Sequence, residues 1–224
     1  MIKIAENASN HPPQFTNATF DIVAIAASAG GVTALIEVLS TLPAEFTAAI
    51  AIVQHIPPQD RSLMAEILSR RTAISVKQAE EGDILTPGTA YVAAPDHHLL
   101  VNGDGTLSLS QSELVHFLRP RADLLFESVA ATYKNRAIAL VLTGTGNDGT
   151  VGVEAIKKMG GTIIVQDVKT AEFSGMPSAA IQAGKVDFIL PLNKISNALM
   201  TLVMGELLLN PEVGGHTTLG EAAP

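Results

Sequence analysis

The feature that most constrains the fold is an alternation of short, β-rich apolar runs with longer segments whose apolar residues recur at helical spacing. Nearly continuous apolar runs are typical of parallel strands buried on both faces, with helices covering them. The predicted strands are Asp21–Ala27, Ala48–Val53, Ala137–Leu142, Thr162–Gln166 and Asp187–Leu190. The predicted helices are Val32–Thr41, Arg61–Arg70, Arg121–Tyr133, Val151–Met159, Pro177–Ala183 and Lys194–Leu209. The sequence therefore predicts an α/β fold, doubly wound, with a mostly parallel sheet and helices on both faces.

Three regions depart from this alternation. Between Val76 and Leu109, short β-rich runs are separated by Pro87-Gly88 and by the Asn-Gly-Asp-Gly segment at 102–105, which predicts an added β-hairpin region over residues 76–110. Residues 1–20 are rich in Asn, Pro and Thr and predict a flexible lead. Residues 210–224 predict a disordered polar tail. A single domain over residues 21–209 is therefore expected.

Composition excludes several classes of function. The chain has no cysteine, which excludes disulfides, thiolate metal sites and cysteine nucleophiles. A formal net charge of −8 argues against binding nucleic acid through its phosphates. The N-terminus lacks a secretory apolar run, and no stretch reaches the roughly 18 apolar residues of a membrane span. A cytoplasmic protein that is not embedded in a membrane is expected.

The first loop of interest follows the first predicted strand and contains Ser28. In open parallel sheets, ligands and catalytic groups gather beyond the carboxyl ends of the strands. A serine on a sharp strand-to-helix turn can serve as a nucleophile, with nearby helix-start amides holding an oxyanion. The same Ser28-Ala29-Gly30-Gly31 segment could instead cap the helix or cradle a phosphate. The sequence of this loop alone leaves these alternatives open.

The second loop follows the next predicted strand and begins with His55. A histidine in this position can take a proton from a serine and return it to a leaving group, because it changes charge near neutral pH. The alternative is a structural histidine bonded to a backbone carbonyl. The adjacent His97 and His98 would face opposite sides of a strand, so no shared metal site is expected there.

The third loop, residues 143–149, follows the predicted strand Ala137–Leu142 and supports two interpretations. Asp148 could orient His55 and stabilise the imidazolium, which would complete a Ser-His-Asp set. The spacing Gly144-x-Gly146-x-x-Gly149 also fits a dinucleotide-binding fingerprint, with Asp167 near the place of a ribose-binding acid. A carboxylate inside a pyrophosphate-binding loop is electrostatically unfavourable, which weakens the dinucleotide alternative without removing it.

Six blocks, in this order, resemble the catalytic domain of the chemotaxis protein-glutamate methylesterases, the CheB family. They are IAASAGG (25–31), VQHIPP (53–58), EEGDILTPGTAYVAAPDHHL (80–99), RPRADLLFESVA (119–130), LTGTGNDGTVG (142–152) and SGMPSAAI (174–181). The resemblance implies hydrolysis of glutamate γ-methyl esters on methylated chemoreceptor helices, in signal adaptation, and also raises glutamine deamidation. It assigns the nucleophile to Ser28, the base to His55 and the aspartate to Asp148. It implies no nicotinamide cofactor and no metal.

The resemblance also implies roles for backbone groups around the nucleophile. Ala29, Thr145 and Gly146 are expected to form the oxyanion and substrate loop, with Thr145 standing where the family usually has Met. Two further departures, Ala26 and Ala29, replace the usual Gly and Thr around Ser28. Leu118 and Arg121 stand where His and Ser are common. These differences leave the choice of substrate open.

Regulation and partners follow from the same resemblance. The family usually carries a receiver domain ahead of the esterase, and roughly twenty residues before Asp21 cannot hold one, so phosphorylation control in cis is expected to be absent. A methyltransferase and a separate receiver protein are candidate partners besides the chemoreceptor. The alternatives are a dinucleotide-binding oxidoreductase that uses residues 144–149, and an interaction module that has kept the fold but lost turnover.

Overall fold

The computed structural model describes residues 20–55, 63–112 and 119–209. The strands are β1 (Ile22–Ala27), β2 (Ala49–Gln54), β3 (Ser75–Gln78), β4 (Thr89–Val92), β5 (His98–Val101), β6 (Leu107–Ser110), β7 (Ala137–Val141), β8 (Thr162–Gln166) and β9 (Phe188–Leu190). The helices are α1 (Gly31–Leu39), α2 (Met64–Ser69), α3 (Ala122–Tyr133), α4 (Thr150–Lys158), α5 (Gly175–Gln182) and α6 (Leu192–Leu209). Each predicted strand and helix is present, with ends shifted by a few residues.

Seven strands form one parallel sheet in the order β3-β4-β2-β1-β7-β8-β9. The central strands β1, β2 and β7 are buried along their whole length, and their side chains alternate between two apolar clusters, one on each face. Burial on both faces is the reason why these strands consist of continuous apolar runs. The predicted α/β fold with a parallel sheet between helical layers is confirmed.

The predicted hairpin region of residues 76–110 is confirmed only in its second half. Strands β5 and β6 form a separate antiparallel pair around the 102–105 turn. In the first half, β3 and β4 pair in parallel and extend the main sheet, with β4 next to β2. Pro87-Gly88 marks a turn, but the buried face of β4, which includes Tyr91, packs into the core and favours the parallel position.

Two of the sequence predictions lie outside the described residues. They are the flexible lead, of which only residue 20 is described, and the tail at 210–224. The predicted helix Arg61–Arg70 is described from Met64 onwards. Within the described ranges, no helix combines the length and hydropathy that a membrane span requires.

The topology brings together the three loops that the sequence singled out. Strand β1 lies between β2 and β7, and all three run in the same direction. The last register pair of β1 and β2 is Ala27 with Gln54, so Ser28 and His55 directly follow paired positions. The loop after β7 begins on the other side of β1. One edge of the sheet therefore carries all of the predicted site residues.

Candidate active site

Ser28 lies at the sharp turn between β1 and α1. Its backbone amide donates to the carbonyl of Thr143 at 3.0 Å, and its carbonyl accepts from the amide of Gly31 at 2.8 Å. Gly30 occupies the N-cap position with φ of 73°, a left-handed conformation that glycine adopts easily, and no side chain caps the helix there. The Ser28 side chain therefore does not act as the helix cap that the sequence left as an alternative.

His55 contacts Asp148 directly. The Nε2 atom of His55 lies 2.8 Å from Oδ2 of Asp148, and both side chains are largely buried. His55 is held in place by its backbone amide, which donates to the carbonyl of Ala27 at 3.1 Å. Because the carboxylate accepts at Nε2, the proton of a neutral imidazole is on that nitrogen, and Nδ1 is left as the basic atom. The structural alternative for His55, a ring bonded to a carbonyl, does not describe this contact.

The carboxylate of Asp148 is buried at the start of α3. Its Oδ2 accepts the amide of Ala122 at 2.7 Å, and its Oδ1 accepts the amide of Asp123 at 3.2 Å. Burial of this carboxyl group raises its pKa, but the hydrogen bond from His55 and the amides at the start of α3 outweigh burial and lower the pKa of Asp148 below its ordinary value. Asp148 is therefore ionised at neutral pH, as a partner of an imidazolium must be.

The loop after β7 passes close to Ser28. A Cβ atom added to Gly144 would lie 2.9 Å from Cβ of Ser28 and 2.3 Å from Sδ of Met176, so only glycine fits there. Thr145 and Gly146, beyond it, are exposed. Within the described part of the chain, the amides of Ala29, Thr145 and Gly146 donate to no protein acceptor. Their role as the oxyanion loop stays a prediction.

The glycine spacing of residues 144–149 does not form a dinucleotide site. The amide of Gly149, which a pyrophosphate would need at the start of α4, donates instead to Oδ1 of Asp148 at 2.9 Å. Asp167, the proposed ribose ligand, accepts the amide of Lys169 at 2.9 Å in a local turn. The dinucleotide alternative is therefore not supported.

Gln54 is a site residue that the sequence analysis did not single out. Its Nε2 donates to the carbonyl of Ser28 at 2.8 Å and to the carbonyl of His55 at 3.1 Å. One buried side-chain amide thus ties together the backbones of the predicted nucleophile and base. A polar residue at the end of an otherwise apolar strand was the signal that could have identified it.

Arg121 and Asp123 form the second contact group that sequence reasoning missed. Nη2 of Arg121 donates to Oδ2 of Asp123 at 2.7 Å, and Nε of Arg121 lies 3.4 Å from Oδ1 of Asp148. In the sequence alone, Arg121 stands out only as a departure from the family pattern. Two opposite charges spaced two residues apart at a predicted helix start were the available signal. Leu118, the neighbouring departure, lies outside the described residues.

Comparison with known proteins identifies the family of this chain. Residues 23–199 match the family described as CheB methylesterase. A relative from Leptospira interrogans is 40% identical over 188 residues, which cover 84% of this chain and 97% of the relative. A Pyrococcus horikoshii protein named protein-glutamate methylesterase/protein-glutamine glutaminase is 41% identical over 201 residues. That match covers 88% of this chain and 54% of the relative, so the chain spans about half of that protein.

A solved structure gives the same result for the fold. The crystal structure of the Thermotoga maritima CheB methylesterase catalytic domain matches with a TM-score of 0.79 and 37% sequence identity, over 82% of this chain and 99% of the other. The resemblance inferred from the six sequence blocks is confirmed, and with it the prediction of a carboxylic ester hydrolase of the methylesterase class. The chain belongs to the CheB methylesterase family.

Proposed function

We propose that this chain hydrolyses the γ-methyl esters of glutamate side chains with Ser28 as nucleophile, His55 as general base and Asp148 as the carboxylate that orients His55. The observation that carries the proposal is the 2.8 Å contact between His55 Nε2 and Asp148 Oδ2, at the sheet edge where Ser28 directly follows β1. Serine ester hydrolysis uses a nucleophile, a base and an orienting acid, and the ends of adjacent strands offer one of each here, which supports the proposal.

The reaction proceeds in two balanced halves. Ser28 Oγ attacks the ester carbonyl while its proton passes to Nδ1 of His55, and the C–O bond to methoxide then breaks as His55 returns that proton, releasing methanol. Water attacks the resulting acyl-serine with His55 again as base. The ester bond to Ser28 breaks as His55 returns the proton to Ser28 Oγ, and the glutamate leaves as a carboxylic acid that ionises in water.

The imidazolium formed in each half is stabilised by Asp148. Since Asp148 accepts at Nε2, the ring nitrogen left to accept the Ser28 proton is Nδ1. Burial of the carboxylate strengthens its electrostatic effect on the ring. The amides of Ala29, Thr145 and Gly146 stabilise the oxyanion, and this role needs backbone donors rather than particular side chains.

The substrate class follows from the family. CheB methylesterases act on methylglutamates of chemoreceptors, so we propose methylated chemoreceptor helices as the substrate and the cytoplasm as the place of action. The relatives' names also include protein-glutamine glutaminase. The same attack on a side-chain amide would release ammonia in place of methanol, so deamidation of glutamine is part of the proposal.

Release of methanol from methylated chemoreceptor membranes tests this function. The parent chain should release methanol at a rate well above the membranes alone, and Ser28→Ala should reduce the rate to that background. Ser40→Ala is the matched control, because its exposed hydroxyl only donates to the carbonyl of Glu37. A parent chain without activity, or a Ser28→Ala variant with the parent rate, would contradict the proposal and favour the interaction-module alternative or another nucleophile.

A further inference from the structure

Arg121 is a buried cation placed between two acids. It directly precedes α3 in an extended conformation and is only 8% exposed. Its Nη2 donates to Oδ2 of Asp123 at 2.7 Å, while its Nε lies 3.4 Å from Oδ1 of Asp148. One guanidinium thus contacts both carboxylates, which are themselves 4% and 3% exposed.

The two acids cap each other's helices. Asp148, which precedes α4, accepts the first amides of α3 from Ala122 and Asp123. Asp123, in the first turn of α3, accepts the amide of Gly152 in α4 at 2.9 Å. Helix N-termini favour negative charge but do not neutralise two buried carboxylates. Arg121 supplies the opposite charge that both acids share.

The oxygens of Asp148 are divided between two tasks. Oδ2 accepts from His55 and from the amide of Ala122, whereas Oδ1 accepts the amides of Asp123 and Gly149 and contacts Nε of Arg121. The contacts at both oxygens oppose rotation of the carboxylate, so Oδ2 stays directed at the imidazole. Residues that lock the supporting groups of a catalytic side chain in this way control its geometry.

We propose that Arg121 is a positioning residue that fixes Asp148 for His55 and, by offsetting the charge of Asp148, sets the pH at which His55 becomes able to accept a proton. The inference rests on the proposed function for its kinetic readout. An arginine suits this position because its planar fork reaches two carboxylates at once, whereas a lysine ammonium is a single point charge.

The effect of the Arg121 charge on His55 depends on the other charged groups around the ring. Asp148 contacts the ring from the loop after β7, and Arg121 and Asp123 lie behind it at the start of α3. Other charges at this edge of the sheet include the Asp96–Arg119 ion pair, which follows β4, and Glu172, close to Gly30. Removal of Arg121 takes away the positive charge that the two acids share, which stabilises the imidazolium and moves its deprotonation to higher pH.

Two substitutions separate charge from geometry. Arg121→Gln removes the charge, and the midpoint of the rising limb of the pH–rate profile should shift upward by about half a unit or more, with a lower kcat and little change in KM. Arg121→Lys keeps the charge, and its midpoint should stay at the parent value while kcat falls severalfold, because one ammonium cannot hold both carboxylates. Arg70→Gln, which removes an equal charge from an exposed site, should change neither quantity.

The same shift can be measured without turnover. An NMR titration of the His55 ring, assigned with a His55→Gln variant, should show the same upward shift in Arg121→Gln. If the parent releases no methanol but the titration shifts, the proposed function fails and the inference about Arg121 stands. A folded Arg121→Gln variant with the parent midpoint overturns the inference. If Arg121→Gln does not fold, the kcat of Arg121→Lys is the test. A kcat equal to that of the parent chain would overturn the positioning role.

Discussion

The side-chain amide of Gln54 donates to the carbonyl of Ser28 over 2.8 Å, across the junction of β2 and β1. The same nitrogen donates to the carbonyl of His55. The distance between the backbones of the predicted nucleophile and base is therefore fixed by one buried hydrogen-bond donor rather than by the strand ladder alone.

Replacing Gln54 with Met should lower kcat about tenfold, with KM nearly unchanged, because it removes the donor that holds both backbones and small misplacements of catalytic groups cost up to about a hundredfold in rate. Steady-state kinetics measure this, and circular dichroism verifies that the fold is retained. Gln78→Met, at the exposed end of β3, is the matched control. A Gln54→Met variant with the parent kcat would show that the hydrogen bonds do not contribute to catalysis.

Ser28 and His55 should act as one unit. Ser28→Ala and His55→Ala should each abolish turnover almost completely, and the double variant should be scarcely slower than either. Rate measurements on the four proteins check this expectation. Additive losses would count against a shared mechanism.

Asp148→Asn should keep the fold and lose most of the rate. An amide at this position can donate to Nε2 of His55, which favours the wrong tautomer, and it cannot stabilise the imidazolium. Activity assays together with thermal unfolding separate the two effects. Full activity in the folded variant would remove Asp148 from the mechanism.

The rate should rise with pH over about pH 5 to 8, the range in which histidine changes charge, because only a neutral imidazole can accept the Ser28 proton. Initial rates in buffers of constant ionic strength measure the profile. A flat profile over that range would contradict the role of His55 as a base.

Asp148 should also make the fold acid-sensitive. Folding lowers the pKa of this carboxyl group, through the hydrogen bonds that outweigh its burial, so the unfolded chain binds the proton more tightly. The stability that it contributes is fully present above the ordinary aspartate pKa of about 3.9 and is lost as pH falls through the lower folded value. Urea unfolding at pH 7 and at low pH should show a smaller pH dependence in Asp148→Asn than in the parent.

Gly144 tests the close approach of the loop after β7 to the nucleophile. A Cβ atom at position 144 would lie 2.9 Å from Cβ of Ser28, so Gly144→Ala should displace Ser28. Small misplacements of catalytic groups cost about a hundredfold in rate, so kcat should fall tenfold or more. Gly103→Ala is the control, because nothing lies within 4 Å of its added Cβ. Equal kcat values in the two variants would argue against a tight Ser28–Gly144 contact.

Much of this arrangement could be predicted from the sequence because it depends on local patterns. Apolar runs identified the central strands, and the rule that chemistry gathers at strand ends singled out Ser28, His55 and Asp148. The partners of β3 and β4 could not be predicted, since Pro87-Gly88 marks a turn without specifying which strand pairs next. The contacts of Gln54 with Ser28 and of Arg121 with Asp148 join residues about 26 positions apart, and only the folded sheet edge brings them together.

Locating the covalent intermediate tests directly whether Ser28 is the nucleophile. The parent chain is mixed with a methyl-esterified glutamyl peptide, quenched in acid within the first turnover, digested and examined by mass spectrometry. The acyl group should be found on the peptide that contains Ser28, and Ser28→Ala should give no acylated peptide. Turnover by the parent with the acyl group on another residue, or unchanged turnover in Ser28→Ala, would contradict the role of Ser28 as the nucleophile.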